Sequence, residues 1–198
     1  MALDLPNLLI AARDTVQAPR AGARALINMN LPANVGWLGL LLMAVSSAAL
    51  STITFGFSPS GGDPATDQAL SRLFENPIQL ALFHAGALII GAMLIYRVGR
   101  MFGGTGRFAD TVALLAWLEF ILFVLQAVQL FLLLVSPQLA AALGMFVLVL
   151  FLWLLTNFVA ELHGFGSLLA VFFAIIGTTL VVSFAAAILI VAVVGVGV

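Results

Sequence analysis

The chain has 198 residues, 64% hydrophobic and 8% charged, with a formal net charge of -1. A soluble domain carries about 25% charged residues, and a soluble fold of this composition would aggregate through its exposed apolar surface, so lipid is the expected solvent. The cations are all Arg and Cys is absent, which excludes disulfides, thiol catalysis and thiolate metal sites.

Residues 1–30 lack the basic stretch and compact apolar core of a cleavable signal peptide, and none is expected. Leu8, Leu9, Ala12 and Val16 recur at helical spacing, with Asn7, Asp14 and Gln17 elsewhere on the wheel. Pro6 and Pro19 each suit a first helical turn, and Arg20 and Arg24 lie one turn apart. One or two amphipathic helices are expected. They lie either in the headgroup region or packed on the ends of a helix bundle, and either arrangement keeps them at the cytoplasmic face. Residues 1–30 thus read as a cytoplasmic amphipathic segment and residues 31–198 as a transmembrane domain.

Ala25 to Gly62 contains no charge, and about Val35 to Phe55 is long enough to cross a bilayer core of ~30 Å. Ser46, Ser47, Ser51 and Thr52 in its second half are expected against neighbouring helices. A loop over residues 57–76 follows, with a short helix expected over 67–74 and the charges Asp63, Asp67, Arg72 and Glu75. Pro77 to Tyr96 is the second span. The arginine-rich segment Arg97 to Asp110 then turns the chain through Gly103-Gly-Thr-Gly106, and Asp110 or Thr111 is expected to cap the third span, ending at Val135. Ser136-Pro137-Gln138 is a tight turn, so spans three and four form an antiparallel hairpin. The fourth span runs from about Leu139 to Ala160, and the fifth begins near Ser167.

The fold class is therefore all-α: a polytopic bundle of five transmembrane helices with an N-terminal amphipathic helix. Arg13, Arg20 and Arg24 precede span one, and Arg97, Arg100 and Arg107 separate spans two and three. Five spans place these six of seven arginines on one side, as the positive-inside rule requires. The N-terminus is expected in the cytoplasm and the C-terminus outside.

This order of features resembles the bacterial branch of the Yip1 family over essentially the whole chain. The resemblance rests on Pro19-Arg20 in the approach helix, Phe102-Gly-Gly-Thr-Gly-Arg-Phe108 before span three, Ser136-Pro137, and Asn157-Phe-Val-Ala-Glu-Leu-His-Gly-Phe165 closing span four. Eukaryotic members have a Tyr and a Pro inside span three, where this chain has Trp117 and Glu119 and no Pro. Those members act in vesicle traffic and contact prenylated small GTPases. For a bacterial chain the resemblance implies an integral protein of the inner membrane.

Glu119 falls ~14 Å along its helix from Asp110, near mid-bilayer, where an ionisable group costs at least ~2.5 kcal/mol and needs a partner or a wet cavity. His84 lies at a depth within ~6 Å of it and is able to reach it if the helices touch. Gln126 and Gln129 continue the polar set. Two readings follow: a proton, cation or ligand path, or a protonated Glu hydrogen-bonded between helices. Arg97, Arg100, Arg107, Asp110, Asn157, Glu161 and His163 are expected as one cluster at the cytoplasmic face, with the three arginines facing anionic headgroups and Glu161 and His163 forming ion pairs with Arg107 or Asp110 nearby. His84, Glu119, Glu161 and His163 are over ~10 Å apart in depth, which excludes one shared metal site. The glycine-rich loop lacks the Gly-Lys-Ser/Thr ending of a phosphate loop, and no Ser/His/Asp set has hydrolytic spacing. No catalytic residue, metal or cofactor is expected. The expected partners are membrane lipids and protein within the membrane, a second copy included, and no nucleic acid. The leading expectation is a non-enzymatic membrane protein; a small transporter using Glu119, His84 and Gln126 is the alternative.

Overall fold

The computed structural model describes residues 5–57, 68, 71, 74 and 76–195, with 189–195 by backbone alone. The described residues are helical with short connections and contain no strand. In chain order the helices are α1 (Leu5–Gln17), α2 (Pro19–Asn28), α3 (Ala33–Gly56), α4 (Pro77–Met101), α5 (Phe108–Val135), α6 (Pro137–His163) and α7 (Leu168–Gly195). Five of them, α3 to α7, are long and apolar enough to cross a membrane. The loop expected over 57–76, its short helix and its charges lie largely outside the described residues.

The bundle centres on α3 and α5, which share the largest interface. Gly36, Leu40, Ala44 and Ala48 recur every fourth residue along α3 and are buried there. Opposite them, α5 buries Val112, Leu115 and Leu118. Small side chains let the helices approach closely, which is how membrane helices gain dispersion energy without a hydrophobic force between them. Helix α4 packs on α3 and α5, α6 packs on α5, and α7 makes its substantial contacts with α6. Outward-facing Leu38, Leu42, Leu82, Phe131, Phe173 and Phe184 remain exposed, as befits side chains in contact with lipid.

The N-terminal helices number two, and they dock on the bundle. Ala23 of α2 is fully buried, and α2 packs on α6 and α5. Arg20 Nη2 donates to the Phe165 carbonyl at 2.8 Å, and Arg24 Nε donates to Glu161 Oε1 at 2.6 Å. The bond and charge of Glu161 hold the Arg24 guanidinium above its ordinary pKa. Thr15 of α1 accepts from the Trp117 indole at 3.1 Å.

Helix α5 starts earlier than the sequence suggests. Its N-cap is Arg107, without a side-chain cap. Asp110 therefore sits inside the first turn, where its charge suits the helix dipole, and Thr111 bonds back to the Arg107 carbonyl at 3.1 Å. Neither residue caps the helix.

The two loop motifs interlock. Helix α6 ends with Gly164 at φ 74°, Phe165 N–H bonded to the Ala160 carbonyl at 2.8 Å and Gly164 N–H bonded to the Glu161 carbonyl at 3.3 Å, a Schellman ending. This aims the His163 ring at the α4–α5 loop. Nε2 donates to the Ile95 carbonyl at 3.2 Å, and the ring stacks on Phe165. A Cβ on Gly99 or Gly104 would collide with that ring, and one on Gly106 would sit 2.7 Å from Leu162 Cγ. The glycine segment is thus more than a turn: only Gly103 takes a positive φ, whereas buried Gly104 and Gly106 allow close approach.

This packing predicts that Gly99→Ala lowers stability by about 1–3 kcal/mol, the usual cost of overpacking. In a His163→Ala background the same substitution should cost far less, because the colliding ring is gone. Thermal unfolding of the four proteins in mild detergent measures the coupling; equal costs in both backgrounds would contradict the interlock.

Candidate functional site

Helix α4 presents His84 and helix α5 presents Glu119, and the two meet at 3.3 Å between Nε2 and Oε2. The Glu119 side chain is 10% exposed and the His84 side chain 29%. The imidazole also faces the backbone of Ala44 on α3, so one polar contact set ties three helices together. Two opposite charges or a neutral acid–imidazole pair both satisfy the geometry, and both spare hydrocarbon an unpaired polar group.

The pair lies on the wall of a groove of about 830 Å³. Helix α4 forms one side, α7 the other, and α5 and α6 the floor. The lining is mostly aliphatic and aromatic, with Thr178, Thr179 and Ser183 of α7 adding hydroxyls. The groove exists because α4 and α7 make no substantial contact. Its walls are candidate membrane spans, so it opens sideways to lipid.

The other residues expected in this polar set are placed elsewhere. Gln126 faces α3, donating to Ser51 Oγ at 2.7 Å and the Ser47 carbonyl at 3.4 Å. Gln129 donates to the Ala140 carbonyl at 3.1 Å, joining α5 to α6 near their turn. Neither lines the groove.

The arginine-rich end also divides. Arg107 is held by Asn30 Oδ1 at 3.1 Å and lies 3.9 Å from Asp110. Glu161 pairs with Arg24, on the N-terminal helix, rather than with Arg107. Asn157 is buried and donates to the Trp153 carbonyl of its own helix at 2.8 Å. His163 is 3% exposed and turned to Ile95, with its Nδ1 buried and unpartnered. Arg97 and Arg100 are exposed and have no acidic partner among the described residues. The expected single cluster is therefore two ion pairs, a packed histidine and two free cations. Sequence reasoning missed Arg20, whose bond to Phe165 fixes α2; a helical arginine gives no sign that its target is a backbone carbonyl.

A family model described as the Yip1 domain matches residues 13–196. No curated protein and no solved structure matches the chain. The match takes in all five apolar helices and the docked helix α2, and the chain is a multi-pass membrane protein that belongs to the Yip1 family.

Proposed function

We propose that this is a non-enzymatic protein of a bacterial cytoplasmic membrane that acts through protein and lipid contacts, in membrane organisation or as an accessory subunit of an assembly. The observation that carries this reading is how the polar side chains within the spans are spent. His84 and Glu119 bond each other, Gln126 bonds α3 and Gln129 bonds α6. Each joins helices, as polar residues that act as intramembrane glue do. The arginine distribution supports a cytoplasmic N-terminus and Arg97–Arg107 loop, with residue 198 outside. Reporter fusions at residues 65, 104 and 198 should then read outside, inside and outside; a cytoplasmic signal at 198 would contradict this orientation.

A second reading, proton or cation conduction, is favoured by one observation: the His84–Glu119 pair borders the groove. Substitution at Glu119 separates the two. Under the first reading Glu119→Gln keeps size and hydrogen bonding, and leaves folding and cellular function near wild type. Glu119→Leu removes the bond and costs roughly 0.6–2 kcal/mol, seen as a lower unfolding midpoint. The first reading also expects no proton flux above background in vesicles loaded with a pH dye. Flux in the wild type that a folded Gln variant lacks would establish conduction instead.

A further inference from the structure

We propose that the groove between α4 and α7 holds an anionic phospholipid, with one acyl chain along the groove and the phosphate at Arg97. Three features of the groove select this occupant. The first is its character and size. A mostly apolar lining facing lipid suits hydrocarbon, and about 830 Å³ lies within the ~300–1,000 Å³ of ligand sites.

The second feature is length. His84 lies thirteen residues before Arg97 on α4, or ~20 Å at 1.5 Å per residue. One leaflet contributes ~15 Å of hydrocarbon. A chain entering beside Arg97 thus covers about three quarters of that length, and the polar His84–Glu119 pair with Ser183 lies at the groove's far end.

The third is charge. Ile90 lines the groove, and Arg97, seven residues further along the same helix edge, stands just outside the lining. Arg97 and nearby Arg100 are exposed and, among the described residues, lack the carboxylate that Arg24 and Arg107 each have. A phosphate diester that no choline cation neutralises, as in an anionic phospholipid, supplies that missing anion at the headgroup level, within reach of a long arginine stem.

This site rests on the lipid-contact reading above, but its test is independent of the Glu119 flux experiment. The delipidated protein in mild detergent is titrated with dioleoyl phosphatidylglycerol or dioleoyl phosphatidylcholine, and lipid adducts are counted by native mass spectrometry. One phosphatidylglycerol should bind at least fivefold more tightly than phosphatidylcholine. Arg97→Gln should weaken phosphatidylglycerol about fivefold, the usual effect of one basic residue at an anionic surface, and weaken phosphatidylcholine, whose choline cation offsets its phosphate, much less. Gly91→Leu should weaken both lipids, because a Cβ there meets nothing within 4 Å and the side chain enters the open groove. If that variant unfolds, Ala174→Leu fills the groove from the facing wall. Equal affinity for the two lipids overturns the proposal, as does a folded, groove-filled variant that binds phosphatidylglycerol like wild type. A dimer that Gly91→Leu dissociates, with no lipid preference, would assign the groove to a second copy instead.

Discussion

Hydrocarbon offers a polar group no partner, and that constraint shapes the molecule. Each side chain with hydrogen-bonding capacity inside a span must be satisfied by the protein itself. The hydroxyls of Thr52, Thr156 and Thr179 meet the need locally, each donating to the carbonyl four residues back. Gln126, Gln129 and the His84–Glu119 pair cannot do so, and their bonds therefore fix which helices touch and at what height. The α3–α4–α5 core results from small residues that permit approach and a few polar ones that require it.

The interlock around His163 works at the other end of the same bundle. Gly99 belongs to α4, Gly104 and Gly106 to the following loop, and the ring to α6. One side chain thus sets the spacing of three segments, while the Phe165 carbonyl and Glu161 seat α2 against them. The same residues border the groove: Gly99, Phe165, Gly166 and Ser167 line its mouth. The packed histidine thus sits beside this end of the groove, and the Arg20 bond to the Phe165 carbonyl brings α2 there as well.

Much of this was legible in the sequence. Strongly apolar windows of span length give the five crossings, because crossing a bilayer imposes a length that no soluble helix must meet. The meeting of His84 and Glu119 followed from their depths once α4 and α5 were neighbours. The glycines of the α4–α5 loop suggest a turn by sequence alone, since glycine serves both a positive φ and close packing, and only the partner tells them apart. Asp110 and Thr111 point to a later start for α5 than the true one because both are as acceptable in a first turn as at a cap. The groove left no trace in the sequence: it is the absence of contact between α4 and α7, and no residue pattern encodes a gap.

The attachment of α7 has a consequence for biosynthesis. Since this helix leans chiefly on α6, the packing of α3 to α6 depends mainly on residues that have emerged from the ribosome by Phe165. Domains generally assemble from the N-terminus during synthesis. The first six helices can then settle while the last is still being made. The groove's second wall arrives on a finished body, surrounded by the lipids of the host membrane, and closes over whatever already wets the face of α4.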